Sequence, residues 1–351
     1  MARIAAKAAA KPKAAATVTA KSRPAASKSQ NIALIYKPGS IPDIIVKQAK
    51  QQAPKGFTLT VVKPGETDAK RRKVVAASDY IITYGLAFND LDVAKSLKLL
   101  QLLSAGFDRL DLSAFKQAGV PVANNGGANG PTVAEHTMML ILSVFKKLPL
   151  HHNALNAGKW LGHQEALRMR ELRGKQVGIV GFGKIGQDVA RMANGFLANV
   201  AYFDVNRAAP AVEKEFKAKR LTLDKLIETS DIITVHTPLN KGTRGLFGAK
   251  QFAKMKKSAI FINTARGEVM DQKALIAALD KGQIAGAGLD VFTPEPLGPG
   301  SALYGRDNVV VTPHIAGTTI DTWTRRMAVA FENVVRVSKG KGPLPVSMVQ
   351  G

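Results

Sequence analysis

From Asn31 onward, apolar runs of strand length alternate with stretches whose apolar residues recur at helical spacing. Asn31–Tyr36, Phe57–Val62, Tyr80–Thr83, Leu97–Leu103 and Val120–Val122 predict strands. Pro42–Gln52 predicts a helix with Pro42 near its first turn, where a missing N–H costs nothing. Asn124–Pro131 is a turn-rich break, and Pro131 opens a long predicted helix to about Leu148, with Asn129 or Gly130 near its cap. A strand begins near Gln176, and others follow at Asn199–Phe203, Ile232–His236, Ala259–Asn263, Gly286–Val291 and Val309–Thr312. Helices are predicted at Gln187–Met192 and Asp271–Asp280, and Val329–Val337 reads as a closing helix. Helices between short apolar strands favour parallel βαβ units. The expected fold is therefore α/β, with two doubly wound parallel-sheet domains. One comprises residues 31–128 and recovers 318–351; the other spans 129–317.

One strand–helix junction carries chemistry. Val177–Gly186 runs from an apolar strand through Gly181-Phe-Gly183-Lys184-Ile185-Gly186 into a helix. Gly181 allows the tight exit from the strand, Gly183 a close backbone approach to a pyrophosphate, and Gly186 contact between helix and strand. The helix N-terminus offers free N–H groups and a favourable dipole to phosphates. A second apolar run ends at Asp204, at the spacing where an acid meets ribose hydroxyls. Strand, turn, helix and acid together point to a dinucleotide, NAD by preference, because Asp204 repels a ribose phosphate. Arg207 nearby keeps NADP open.

Composition narrows the rest. The 351 residues suit two domains, and an apolar fraction of 46% can fill their cores. The absence of cysteine excludes disulfides, thiolate metal sites and thiol catalysis, and fits a reducing compartment such as the cytoplasm. No metal-ligand spacing is present, so no metal is expected. The apolar part of Met138–Val144 is too short for a membrane span and is flanked by Glu135, Lys146 and Lys147. Residues 1–30 carry seven Lys or Arg and no acid among Ala, Pro and Ser, a composition expected to be disordered. That tail reads as a solvated leader, a weak polyanion-binding arm or an organelle transit peptide. Removing its seven charges from the net +24 leaves +17 on the rest.

Three further segments place reactive groups after strands of the second domain, where ligands sit in open α/β sheets. They are Ile262–Gly267 with Arg266, Gly288–Pro296 with Asp290 and Glu295, and Thr312–Gly317 with His314. Arg266 can hold an anionic substrate through its planar fork and polarise a carbonyl. His314 can exchange the proton that accompanies hydride transfer. Glu295 can orient His314 and favour its imidazolium form.

These residues resemble the D-isomer-specific 2-hydroxyacid dehydrogenases, over nearly everything from Asn31 onward. The likeness lies in Asn125–Asn129 leading into Val133-Ala-Glu-His136, Gly181–Gly186, His236-Thr-Pro-Leu239, Asn263–Gly267, Asp290–Pro296 and Thr312-Pro-His314. It implies an NAD-dependent oxidoreductase with a Rossmann domain and a flavodoxin-like substrate domain. It implies Arg266, Glu295 and His314 as catalytic groups. Cofactor contacts would come from Gly181, Gly183, Lys184, Ile185, Gly186, Asp204, Pro238, Thr264, Ala265, Arg266, Asp290, His314 and Gly317. Ser104, Ala105 and Gly106 would offer N–H groups to the substrate carboxylate, with Tyr84 and Gly85 in a neighbouring loop. It further implies a homodimer with the Pro131–Leu148 helix at its interface. The chain departs from the family at Gly126, where many members have Pro, and at Asn240, where Thr is common. Formate dehydrogenases of the same superfamily carry an amide where this chain has Glu295, which argues against formate.

Plainer readings stand beside these. Arg266 could pair with Glu268, His314 could be a structural histidine, and Glu295 between two prolines could stiffen a loop. Glu135 and His136 are adjacent on a helix and do not share a face, which favours packing or interface roles. His151, His152 and His163 read as surface residues, His236 as shaping the nucleotide loop, Trp323 as core, and Lys254, Lys256 and Lys257 as a solvated face. Val133, Met138, Leu140 and Ile141 form an apolar face that suits a dimer interface or a core. The rival function is a dinucleotide-sensing regulator that recruits partners, for which the basic charge offers a motive but no DNA-reading motif.

Overall fold

A computed structural model of the protein describes residues 29–108 and 110–349. The basic tail, apart from Ser29 and Gln30, lies outside the described residues, and so do its three readings. Gln30 opens the first strand, one residue earlier than the sequence pattern places it.

Two all-parallel sheets organise the described residues. β1 (Gln30–Tyr36), β2 (Phe57–Val62), β3 (Tyr80–Tyr84), β4 (Leu99–Leu102) and β5 (Val122–Ala123) form the first, in the order β2-β1-β3-β4-β5. The second has β6 (Gln176–Val180), β7 (Asn199–Phe203), β8 (Ala218–Arg220), β9 (Ile232–Val235), β10 (Ile260–Asn263), β11 (Gly286–Leu289) and β12 (Val309–Val311). Its order is β12-β11-β10-β9-β6-β7-β8, so the strand order reverses at β6. Ligands of doubly wound sheets sit outside the carboxyl ends of strands at such reversals.

Both faces of each sheet are covered, and the sequence supplies apolar side chains to both. In β10, Ile260 and Ile262 join the core on one face while Phe261 joins the other. In β1, Ile32 and Leu34 face one core while Ala33 and Ile35 face its opposite. This is why these strands read as continuous apolar runs rather than as alternation.

The chain crosses between the sheets twice, before the Gly130–Phe145 helix and before the Ile320–Ser338 helix. The crossings are tied together. Thr132 Oγ1 lies 2.6 Å from Thr322 Oγ1, and Arg325 Nε donates to Ala128 O at 2.9 Å. The C-terminal helix returns Trp323, Met327, Phe331 and Val334 to the core of the first sheet.

Several element limits differ from the sequence pattern. The helix expected to reach Leu148 ends at Phe145, because Lys147 adopts a left-handed backbone (φ 50°) and Pro149 starts a separate helix, Leu148–Asn156. The closing helix begins at Ile320, not Val329. Thr319 caps it by accepting from Thr322 N, and its first buried positions include the polar Thr322 and Arg326, which hide the periodicity. Pairing of β5 starts at Val122, since Pro121 has no N–H to contribute. Val133, Met138, Leu140 and Ile141 are buried within this single chain. The apolar face weighed as a dimer interface is core. No helix among the described residues is long and apolar enough to cross a membrane.

Candidate active site

The glycine turn is dictated by its neighbours. A Cβ on Gly181 (φ 94°) would lie 2.8 Å from the His236 backbone, and one on Gly186 only 2.2 Å from Gly181 O. Strand, loop and helix close on each other there, as their sequence spacing implied. A Cβ on Gly183 would meet no protein atom within 4 Å, so the polypeptide itself does not require that glycine. A phosphate group approaching the helix N-terminus does require it. Asp204 ends β7 with its carboxylate braced: Oδ2 accepts from Phe182 N at 2.8 Å and Oδ1 from Asn206 N at 3.1 Å. Gly183, Asp204, Asn206 and Arg207 line a cavity of about 240 Å³. Arg207 is bound through Nε and Nη2 to Glu213, at 3.1 and 3.0 Å. These residues fit the adenosine end of a dinucleotide.

A larger cleft of about 360 Å³ opens between the strand ends of the two sheets. Tyr84, Ser104, Ala105 and Gly106 line it from the first sheet. Ile185, Pro238, Thr264, Ala265, Arg266, Asp290, His314 and Gly317 line it from the second. Two expected residues lie elsewhere. Gly85 faces Lys37 and Ser40, and the exposed Lys184 lies against Gly127.

His314 sits in a left-handed backbone (φ 55°) that loop bonds hold in place. Its N–H donates to Asp290 O at 2.9 Å. Asp290, fully buried, accepts from Thr312 Oγ1, Ile315 N and Ala316 N at 2.6, 2.9 and 2.8 Å. The Asp290 carboxylate thus organises the loop on which His314 stands. His136 closes the cluster, its Nε2 at 2.9 Å from Thr312 Oγ1. Burial lowers the His136 pKa, and the charge of Asp290 offsets only part of that.

Glu295 Oε2 lies 2.7 Å from His314 Nδ1, and Oε1 accepts from Phe292 N at 3.0 Å. Burial of Glu295 opposes ionisation, but the His314 contact, the Phe292 N–H and the charge of Arg266 outweigh it and hold the carboxyl below its ordinary range. An ionised carboxylate only accepts, so Nδ1 carries the proton and Nε2 is left for the cleft.

Arg266 follows β10. Asn263 shapes its loop, accepting from Ala265 N and donating to Arg266 O. The guanidinium reaches the first sheet: Nε donates to Asp108 Oδ1 at 3.1 Å, and Nη1 to Ala265 O at 2.7 Å. It does not pair with Glu268. Nη2 lies so near Gly106 that a Cβ there would be 1.5 Å away. Ser104 Oγ bonds Gly106 O at 2.7 Å, and Asn124 Nδ2 donates to Ala105 O at 3.0 Å, so that loop is braced from inside. The site can therefore hold an anion beside Arg266 and exchange a proton through a carboxylate-backed imidazole.

Three lining residues went unread as functional: Asp108, Asn129 and Arg326. Asn129 holds the N-cap position of its helix, yet its side chain accepts from Asn125 Nδ2 rather than capping. Arg326 occupies an apolar phase of the C-terminal helix, and that mismatch is the signal that could have found it. His236 is half-buried at the cleft, its Nε2 2.9 Å from Thr234 Oγ1, and desolvation of the ring lowers its pKa to about 3. Trp323 lies in the core, edge-on to Tyr84.

Residues 138–316 match the family model of the D-isomer specific 2-hydroxyacid dehydrogenase NAD binding domain. The chain is 40% identical to a glyoxylate reductase of Thermofilum pendens, over 72% of this chain and 75% of that protein. It is 34% identical to a glyoxylate/hydroxypyruvate reductase B of Escherichia fergusonii, over 88% and 94% respectively. The fold superposes on D-lactate dehydrogenase with NAD+ from Lactobacillus jensenii with a TM-score of 0.78 and 26% identity, covering 92% of this chain and all of that one.

Proposed function

This chain belongs to the D-isomer-specific 2-hydroxyacid dehydrogenases, NAD-dependent oxidoreductases, and on that footing we propose that it reversibly reduces a small 2-oxoacid to the D-2-hydroxyacid. The contact that carries the reading is Glu295 Oε2 to His314 Nδ1 at 2.7 Å, in a cleft that Arg266 also lines. Gly183 and Asp204 would hold the dinucleotide, which would supply or accept the hydride. Arg266 binds the substrate carboxylate or its carbonyl oxygen, and the Ala105 and Gly106 N–H groups hold the rest. His314 Nε2 gives a proton to the carbonyl oxygen in reduction and takes it back in oxidation. Glu295 keeps the imidazole oriented and its proton on Nδ1. Asp204 favours NADH over NADPH, and Arg207 is already engaged by Glu213.

Residues 31–128 with 318–351 would form the substrate domain and 129–317 the nucleotide domain, in a cytoplasmic homodimer. The dimer surface we propose is the Leu148–Asn156 helix and the segment after it. There Leu148, Leu155, Trp160 (82% exposed) and Leu167 (90% exposed) leave apolar area in solvent.

The test is oxidation of NADH and NADPH by purified protein against glyoxylate, hydroxypyruvate, pyruvate and larger 2-oxoacids, with Arg266→Ala as control. Turnover that the control loses supports the reading. Clear NADH binding without turnover of any acid overturns it.

A further inference from the structure

Arg326 is a buried cation for which the described residues provide no acid. It is 3% exposed, and no carboxylate pairs with it. Its Nη2 donates to Gly317 O at 2.9 Å, whereas Nε and Nη1 have no hydrogen-bond partner among the described residues. Two aromatic rings fix the guanidinium, Trp323 at 4.8 Å and Tyr84 at 5.3 Å. It lines the same cleft as His314 and Arg266, between Tyr84 of the first sheet and Gly317 of the second crossing. Burial lowers its pKa, which Tyr84 counters and the neighbouring Arg325 reinforces.

A structural role alone accounts poorly for this arrangement. Holding Gly317 O needs one neutral donor, and filling the space beside Trp323 needs only apolar atoms. A buried guanidinium with two idle donors is costly to maintain. An anion in the cleft that Arg326 lines offsets the cost of the buried charge. Arg266 differs, because Asp108 and Ala265 O already balance its fork. The uncompensated positive charge of the cleft is therefore on Arg326.

We propose that Arg326 is a second anion-binding group of this cleft, selecting 2-oxoacids whose far end carries another carboxylate. Arg266 receives the 2-oxoacid end, and Arg326, its Nη2 held by Gly317 O, presents its positive charge to the distal carboxylate from the cleft wall. Rigid placement by the two rings makes the recognition geometric as well as electrostatic. This specificity rests on the reductase reading above.

The experiment compares 2-oxoglutarate with 2-oxopentanoate, equal in carbon count and different in the distal carboxylate. Wild-type protein should show at least about a tenfold higher kcat/KM for the dicarboxylate. Arg326→Gln should cut that preference about thirtyfold, and Arg326→Lys, which keeps the charge but loses the fork, should retain part of it. A wild type that favours 2-oxopentanoate overturns the proposal, whatever the variants do. So does an Arg326→Gln loss equal for both acids, the result of merely stiffening the crossing. Calorimetric titration of glutarate into the NADH complex gives a readout free of turnover. Weaker binding to Arg326→Gln supports the site, and unchanged binding overturns it. Arg326-dependent glutarate binding without reduction of any acid would sink the reductase reading and leave the anion site standing. Glyoxylate reduction with Arg326-independent glutarate binding would do the reverse.

Discussion

Asp108, in the loop after β4, accepts from Nε of Arg266, after β10, at 3.1 Å, and so joins the two sheets across the mouth of the cleft. The bond sets the direction of the guanidinium that is proposed to take substrate. Asp108→Ala should leave Arg266 less well aimed and raise KM about five- to tenfold, with a smaller fall in kcat. Steady-state kinetics with saturating NADH checks this, and an unchanged KM would remove the positioning role.

Gly106 faces the same guanidinium. In Gly106→Ala the new Cβ would coincide with Nη2, which must move. Because Nη2 is the far end of a side chain, the fold should tolerate the change, while kcat/KM falls at least about a hundredfold. A thermal melt within a few degrees of wild type, with that loss of activity, is the expected pair of results.

Glu295 ties acid chemistry to stability. Its folded pKa lies below the ordinary 4.5, so its bond to His314 contributes fully above that value and is lost as pH falls through the folded pKa. The stability gap between wild type and Glu295→Gln should therefore be largest near neutrality and close in acid. It should amount to no more than about 1 kcal/mol, since both groups are partly exposed. Reduction by Glu295→Gln should slow about a hundredfold with a displaced pH profile. Denaturation at two pH values and a pH–rate series read both effects.

Asp204 accepts from Phe182 N and Asn206 N while lining the cavity proposed for adenosine. Asp204→Ala should raise the NADH KM about tenfold and narrow the preference over NADPH. An unchanged cofactor ratio would count against the assignment.

Trp160→Glu with Leu167→Glu should convert a dimer to a monomer in sedimentation without a large change in folding, since both side chains are exposed in the single chain. A wild type that sediments as a monomer would dispose of the interface.

The strands and the nucleotide turn were legible in the sequence because their requirements are local. Gly186 answers to Gly181 O within the turn itself, and an apolar run such as Ile260–Asn263 declares a strand covered on both faces. Arg266, Asp290 and His314 were legible for a related reason: each follows a strand, and strand ends share one edge of a parallel sheet. What the sequence concealed depends on the crossing of the two sheets. Nothing local joins Asp108 to Arg266, 158 residues apart, or sets Arg326 against Tyr84. The early turns of the C-terminal helix were missed because Thr322 and Arg326 are buried through contacts made far away in sequence.

The two crossings have a further consequence. Glu295, His314 and the Asp290 carboxylate that steadies their loop all belong to the second sheet, so relative movement of the sheets leaves their mutual distances alone. The Asp108–Arg266 bond spans the divide and responds to every change in its width. The proton handling proposed for Glu295 and His314 thus involves no contact between the sheets, whereas the aim proposed for Arg266 does. Changes at Asp108 or along the C-terminal helix can therefore reshape the cleft while the Glu295–His314 bond and the Asp290 loop keep their geometry.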